Sequence, residues 1–193
     1  MRGGLVDVRS PFVVDLASLP RQEGASIEWE RTLDAPADLG TELIGVPEGS
    51  PLKVRLTLQS VSEGVYIGGS VAAHVVGECA RCVRRFEYDV DEAVGELAFY
   101  PERRLALIEE GDEEAEEFPV IEDGHVDVEP VLRDAIVLSL PFTPLCEPDC
   151  QGLCSGCGKR WEELPDDHFH PLPTNDDDPL AALEAKLRGD MEQ

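Results

Sequence analysis

The six cysteines constrain this chain more than any other feature of its sequence. Two form the pair Cys79-Ala-Arg-Cys82, and four more fall within residues 146–157. Cys-x-x-Cys spacing lets two thiolates hold one tetrahedral ion from a tight turn, and zinc favours closed sites with four such ligands. The sequence therefore predicts zinc as a structural cofactor, with ligands drawn from Cys79, Cys82, Cys146, Cys150, Cys154 and Cys157.

The choice among these ligands stays open at this point. Two Cys-x-x-Cys turns that meet at one ion form the usual zinc ribbon. Spacing alone therefore favours the set Cys79, Cys82, Cys154 and Cys157. A second, partial site is an alternative. His168 and His170 lie nearby in an acidic stretch and could supply a ligand, but six cysteines leave no need for them.

Other uses of the cysteines fit less well. Disulfides belong to oxidising compartments, and the sequence shows no apolar leader. A thioredoxin-like redox pair starts a helix, whereas the first pair stands between two strand-like runs. The spacing Cys150-x3-Cys154-x2-Cys157 is that of radical S-adenosylmethionine enzymes, but the 36 residues after Cys157 are too few for their barrel. An electron-carrying iron–sulfur cluster of another kind is a further alternative.

The charge of the chain is strongly and unevenly negative. Its formal net charge is −25, and residues 101–193 hold 25 acidic against 7 basic residues. Such a field repels nucleic-acid phosphates and anionic membranes at long range and attracts basic partners. No stretch approaches the roughly 18–20 consecutive apolar residues that span a membrane. We expect an acidic cytoplasmic protein with no membrane partner.

Alternating apolar residues predict an antiparallel sheet in the first hundred residues. Residues 52–58 alternate leucine or valine with polar side chains, so one face of this strand is buried. A longer strand at 65–76 follows, with a bulge predicted at Gly68-Gly69. A third strand returns at 86–90. The pair Cys79-Cys82 therefore caps a β-hairpin.

One amphipathic helix is predicted in the second half of the chain. Asp127 is its predicted N-cap, and Pro130 lies in its first turn. Apolar residues recur there at helical spacing: Val128, Val131, Leu132, Ala135 and Ile136, with Leu138 and Leu140 widening the face. The predicted fold class is α+β, an antiparallel β-sheet with a packed core helix and zinc-bound cysteine turns.

We divide the chain into three parts. Residues 1–50 form N-terminal strands and a loop, with at most a short helix at 37–44, packed on the main domain. Residues 51–165 carry the sheet, the core helix and the metal site, in a single domain with 1–50. Residues 166–193 form an acidic linker and a short C-terminal helix that begins at Asp178. Within the main domain, the seven acids of residues 109–117 predict a solvated, exposed loop.

The sequence argues against an enzyme. It contains neither a glycine-rich phosphate-binding motif nor a Gly-x-Ser-x-Gly nucleophile motif. A catalytic zinc needs an open coordination position and a general base, whereas all-cysteine sites of this spacing are closed.

The cations near the cysteines contrast with the negative net charge of the chain. Three arginines surround Cys82, and two cations and a tryptophan follow Cys157; the predicted RNA-binding residues are Arg81, Arg84, Arg85, Lys159, Arg160 and Trp161. If both cysteine turns share one metal, these side chains gather at one tip that suits phosphates and an unpaired base. The alternative is that the cations pair with the protein's own acids and electrostatically favour the thiolates.

The order and spacing of these motifs resemble the YceD-like family, the large ribosomal RNA subunit accumulation proteins. The resemblance spans residues 52–187 and rests on four motifs: Cys79-Ala-Arg-Cys82, the helix from Asp127, the run Leu145–Gly158, and Asp178-Pro-Leu-Ala-Ala-Leu183. Some members keep the first Cys-x-x-Cys and a His/Cys pair at the places of Cys146 and Cys150, but lack the later Cys-x-x-Cys. The resemblance thus implies Cys79, Cys82, Cys146 and Cys150 as one site.

The resemblance also implies a function. We interpret the chain as a non-enzymatic ribosome-biogenesis factor that supports accumulation or processing of large-subunit ribosomal RNA, with a zinc-stabilised tip that contacts RNA. The expected partner is that RNA or its precursor particle. The alternative is an acidic protein-binding module that chaperones a basic ribosomal protein. An iron–sulfur or zinc enzyme is the remote third possibility.

Overall fold

The computed structural model of the protein describes residues 6–170, so the helix predicted from Asp178 lies outside the described residues. The chain divides into two units, Met1–Cys150 and Gln151–Gln193. The larger unit holds the sheet and the α-helices described below. The boundaries predicted at residues 50 and 165 stay predictions.

The described part of the larger unit contains eight strands and two α-helices. The strands are β1 (Val13–Asp15), β2 (Ser26–Asp34), β3 (Leu39–Gly40), β4 (Ile44–Val46), β5 (Pro51–Val61), β6 (Gly64–Glu78), β7 (Arg85–Phe99) and β8 (His125–Asp127). The helices are α1 (Pro101–Glu109) and α2 (Glu129–Ser139), and a 3₁₀ turn covers Glu113–Glu116. In the smaller unit, a 3₁₀ turn covers Trp161–Glu163.

Strand β6 is the centre of a six-stranded sheet. Along one edge it pairs with β7 over its whole length, and along the other it pairs first with β5 and then with β4. Strand β2 lies beyond β5, and β3 lies beyond β4. Strands β1 and β8 form a separate two-stranded sheet. Every pair is antiparallel, so the predicted α+β class with an antiparallel sheet is confirmed.

The register of β6 runs through Gly68 and Gly69 without the bulge that their sequence predicted. Gly69 lies opposite Leu56 on one side and Val94 on the other. A Cβ atom at Gly69 would come within 2.0 Å of the carbonyl oxygen of Arg55. The glycine therefore permits a close approach of two strands.

The core lies between one face of the sheet and α2. In β5 every second side chain from Leu52 to Leu58 is buried, as the alternation predicted. Helix α2 packs against β7, β3 and β6 and buries Val131, Leu132 and Ile136. Leu138, expected to widen this face, is 84% exposed, because it points away from the sheet side of the helix.

The start of α2 differs slightly from the prediction. The N-cap residue is Val128 rather than Asp127, although the Asp127 carboxylate still accepts a 2.9 Å hydrogen bond from the backbone N–H of Glu129. Arg133 lies one helical turn further along α2. Its guanidinium donates to the carbonyl oxygens of Asp38 and Ala37 over 2.7 and 3.2 Å. These bonds tie the core helix to the turn before β3.

One local prediction was wrong, and another was correct only in part. The short helix predicted at 37–44 is the β3–β4 hairpin, where Gly40 and Gly45 face each other and leave no room for a Cβ atom. The acidic run at 109–117 exposes Glu109, Glu110, Glu114, Glu116 and Glu117, as predicted. It is not a loop throughout, however, because it includes the end of α1 and a 3₁₀ turn in which Ala115 is fully buried. Among residues 6–170, no helix is both long enough and apolar enough to cross a bilayer.

Candidate metal centres

The first cysteine pair lies in the turn between the two longest strands. Strand β6 ends at Glu78 and β7 begins at Arg85. The backbone N–H of Cys79 donates to the carbonyl oxygen of Arg84 over 2.8 Å, and that of Val83 donates to the carbonyl oxygen of Cys79 over 2.9 Å. These bonds hold the turn closed. Cys79 and Cys82 are both buried.

The segment after α2 brings two more cysteines to this turn. The N–H of Ala80 donates to the carbonyl oxygen of Pro144 over 2.8 Å. The guanidinium of Arg81 donates to the carbonyl oxygen of Cys150 over 2.9 Å. A longer ion pair of 3.9 Å joins Arg84 to Glu147. Two arginines of the turn thus help to hold the second pair of cysteines in place.

The four sulfurs of this group have the spacing of a tetrahedral site. The Sγ atoms of Cys79 and Cys150 are 3.7 Å apart, and those of Cys82 and Cys146 are 3.5 Å apart. All four lie within 4.8 Å of one another. A tetrahedron of zinc–sulfur bonds of about 2.3 Å has sulfur–sulfur edges of about 3.8 Å. We call this group the four-cysteine centre, and it can hold one metal ion.

The thiols of the four-cysteine centre do not ionise equally. Burial raises the pKa of Cys146, and the neighbouring thiols, first that of Cys82, raise it further to about 12. Burial acts in the same direction at Cys79, but backbone N–H groups, first that of Cys146, outweigh it and lower the pKa to about 6. One thiolate is thus stabilised by the protein, and a cation is needed to stabilise several together.

The smaller unit contains a second turn of the same kind. Here the N–H of Cys154 donates to the carbonyl oxygen of Lys159 over 2.7 Å, and that of Gly158 donates to the carbonyl oxygen of Cys154 over 2.8 Å. Leu153 and Arg160 flank the turn as a two-residue β-bridge. Burial opposes ionisation of Cys154, but the N–H groups of Cys157 and Gly156 lower its pKa.

Two histidines complete the second group. The Nε2 atom of His168 lies 3.4 Å from the Sγ of Cys154 and 3.6 Å from that of Cys157. With His170, the four ligand atoms lie within 4.8 Å of one another. We call this group the cysteine–histidine centre. It is a second place at which the described chain could hold a metal ion.

For each Cys-x-x-Cys turn, the other two candidate ligands lie in the same unit as the turn. The groups differ from the set that spacing alone favoured: Cys79 and Cys82 lie with Cys146 and Cys150, as the resemblance implied, and not with the later Cys-x-x-Cys pair. None of the six cysteines forms a disulfide bond. Sequence reasoning set the two histidines aside, although the His-x-His run soon after Cys157 was a signal for them.

The predicted RNA-binding residues are also divided between the two turns. Arg81, Arg84 and Arg85 belong to the turn of the four-cysteine centre, and Lys159, Arg160 and Trp161 follow the turn of the cysteine–histidine centre. The predicted single tip with five cations would form only if both cysteine turns shared one metal. The ligands instead form two separate groups, one for each turn. Arg160 pairs with Glu163 over 3.2 Å, and the Trp161 ring meets the His168 ring edge-on at 5.6 Å.

Comparison with known proteins places the chain in a family. An uncharacterized protein of Mycobacterium tuberculosis is 45% identical over 151 residues, which cover 78% of this chain and 71% of the relative. An uncharacterized protein of Mycobacterium leprae is 36% identical over 149 residues, 77% of this chain and 67% of the relative. The uncharacterized protein YlbN of Bacillus subtilis is 24% identical over 184 residues, 93% of this chain and 97% of the relative.

No solved structure matches the chain significantly. The family described as large ribosomal RNA subunit accumulation protein YceD matches residues 67–186, a range that begins in β6 and includes both cysteine turns and α2. The chain belongs to this family of large ribosomal RNA subunit accumulation proteins.

Proposed function

We propose that the protein is a non-enzymatic factor of large-subunit ribosome biogenesis, in which zinc at the four-cysteine centre stabilises a tip that contacts ribosomal RNA. Membership of the family implies a role in accumulation of the large-subunit ribosomal RNA. The observation that carries the RNA contact is the position of three arginines on one metal-binding turn, in a chain whose net charge is −25.

The ligands of the four-cysteine centre favour structural zinc. Four thiolates at tetrahedral spacing are the donor set that zinc takes in closed sites, and they leave no coordination position for a substrate. Cys79 and Cys82 are each only 2% exposed, which suits a structural role. When bound, the ion would supply charge neutralisation for the thiolates and cross-link the β6–β7 turn to residues 146–150.

The exposure of two arginines of the turn supports a contact with phosphates. Arg85 is exposed at the start of β7 and forms no ion pair with any described residue. Arg81 is exposed, and its bond to Cys150 uses one guanidinium nitrogen, Nη1. The unfavourable global field is screened beyond about 8 Å at physiological salt, so these short-range contacts persist. Arg84 suits a structural role better, because it pairs with Glu147.

A specific feature also favours the second candidate, a module that holds a basic ribosomal protein. Glu87, Asp89 and Asp91 alternate along β7 and are all exposed on one face of the sheet. Arg55 pairs with Asp91. His74 contacts both Asp89 and Glu87 and can neutralise one of them when it is protonated, so the row keeps a net negative charge. A carboxylate row of this kind attracts a basic partner and keeps it from nonspecific RNA.

One experiment separates the two candidates. We would express three tagged variants of the full chain: Arg81→Ala with Arg85→Ala, Glu87→Gln with Asp89→Asn and Asp91→Asn, and Arg9→Ala as an exposed-arginine control. Precursor particles of the large subunit are captured on each, and zinc content is measured to verify that the four-cysteine centre is intact. Arg84 is left unchanged because its ion pair with Glu147 supports that centre. Arg81 also bonds to Cys150, so the zinc measurement shows whether loss of that bond disturbs the centre.

The RNA-tip proposal expects loss of the particles only in the double arginine variant. Normal capture by that variant, at normal zinc content, would refute it. Loss in the carboxylate variant alone would instead support the protein-holding function.

A further inference from the structure

We propose that the smaller unit is a second, independent metal module, in which Cys154, Cys157, His168 and His170 bind one zinc-class divalent ion. The site does not depend on the proposed contact with RNA. It differs from the four-cysteine centre in its ligands, its exposure and its position in the chain. The full protein would then bind two ions of different coordination chemistry.

The distances within the cysteine–histidine centre match such an ion. Zinc–sulfur bonds of about 2.3 Å and zinc–nitrogen bonds of about 2.0–2.1 Å give tetrahedral sulfur–nitrogen edges of about 3.6 Å. The Nε2 atom of His168 lies 3.4 and 3.6 Å from the two sulfurs.

Gly156 makes room for the fourth ligand. A Cβ atom on Gly156 would lie 2.4 Å from Cγ and 2.5 Å from Cδ2 of the His170 ring. The positive φ that closes the turn belongs to Gly158, at 71°, and not to Gly156. The missing side chain at Gly156 therefore serves the approach of His170 rather than the shape of the turn.

The described part of the smaller unit has little else to hold it together. Within residues 151–170, only Gly152 and Cys154 are buried. The described residues of this unit thus form no apolar core, and a metal would supply the cross-link that small units of this kind use for stability. The Trp161 ring, edge-on to the ligand His168, would be ordered by the same ion.

Exposure predicts the order in which the two ions leave. Cys157 and His170 are exposed, whereas two ligands of the four-cysteine centre are buried and the other two are half-buried. A chelator reaches an exposed site more easily. The ion of the cysteine–histidine centre should therefore be removed first, and the ion of the four-cysteine centre later.

The test uses cobalt(II) as a spectroscopic substitute for zinc in the full-length chain. Imidazole is a stronger-field ligand than thiolate, so the visible bands of a site with two histidines lie at shorter wavelength than those of an all-thiolate site. We compare the wild-type protein with the His168→Ala/His170→Ala variant and with Gly156→Ala. His125→Ala and Ser155→Ala are the matched controls, the latter being an exposed neighbour in the same turn.

We expect two ions per wild-type chain and one in the double histidine variant, which keeps only the all-thiolate spectrum. Gly156→Ala should weaken the second site by roughly 10–100-fold, because its methyl group displaces a ligand. Both controls should bind two ions. The persisting all-thiolate spectrum shows that the four-cysteine centre of each variant is intact. A single ion on the wild-type chain, or two undiminished ions on the double histidine variant, would overturn the proposal.

Discussion

Val83 donates its backbone N–H to the carbonyl oxygen of Cys79 over 2.9 Å, and it does so from a left-handed conformation with φ of 57°. A β-branched residue is rarely found there, because its side chain crowds the backbone. Gly158 makes the equivalent bond to Cys154 with φ of 71°. The two cysteine turns share one geometry, and only the second has the residue type that suits it.

Replacing Val83 by glycine should therefore stabilise the metal-loaded protein. The left-handed strain is worth about 1–2 kcal/mol, and the greater freedom of glycine in the unfolded chain cancels part of it, which leaves a gain of roughly 1 kcal/mol. Little packing is lost, because Val83 is 59% exposed. Denaturant unfolding measures the change. Val83→Ala, which keeps a Cβ atom, is the control and should gain less; a less stable glycine variant would contradict the prediction.

Removing the ion from the four-cysteine centre should loosen the β6–β7 turn and residues 144–150 while the sheet stays folded. Closed zinc sites contribute on the order of 10 kcal/mol to folding in small zinc peptides. The sheet has its own core, in which Ile67, Val71 and Val75 are fully buried. Hydrogen exchange after chelation should lose protection near Cys79 and keep it at Val71. Unchanged protection of the turn would show that the metal is not structural.

In the acidic run at 109–117, removing charges and removing the 3₁₀ turn should have opposite effects on the stability of the protein. Changing Glu109, Glu110 and Glu117 to glutamine should leave the melting temperature unchanged or raise it slightly, because repulsion falls. Replacing residues 112–117 by a Gly/Ser linker should cost about 1–2 kcal/mol, because it removes the buried Ala115 and the cap that Asp112 places on the Glu114 N–H. A linker variant as stable as the glutamine variant would mean that the 3₁₀ turn contributes nothing.

His74 should titrate above the ordinary histidine value of 6.5. Its pKa is raised first by the 2.8 Å hydrogen bond to Asp89, while partial desolvation opposes the rise and Glu87 adds to it. Because the folded pKa exceeds the unfolded one, this contribution to stability is fully present below pH 6.5 and is lost as pH rises through the folded pKa. An NMR titration of the imidazole measures it.

The matched variants for this titration lie on the same strand. Asp89→Asn should lower the midpoint of His74, and Asp91→Asn should change it little, because Asp91 pairs with Arg55 instead. If Asp89→Asn leaves the titration midpoint of His74 unchanged, the raised pKa of this histidine has another cause.

The sequence by itself determined the elements whose signal is local. Period-two alternation located β5, β6 and the first half of β7, and helical spacing located α2, because burial of one face repeats over a few residues. It also identified both Cys-x-x-Cys turns. It missed α1, whose apolar residues form no buried face, and the buried Ala115 within an acidic run.

Only the tertiary structure decided which ligands meet. Cys146 and Cys150 reach the β6–β7 turn because α2 packs on the sheet and the segment after α2 bonds to Ala80 through Pro144. Cys82 and Cys146, which meet there, are 64 residues apart in the sequence. His170 reaches its own turn because Gly156 leaves room for the ring. Spacing specifies how two neighbouring thiols can hold an ion, but the other two ligands depend on the path of the chain between them, which no local pattern encodes.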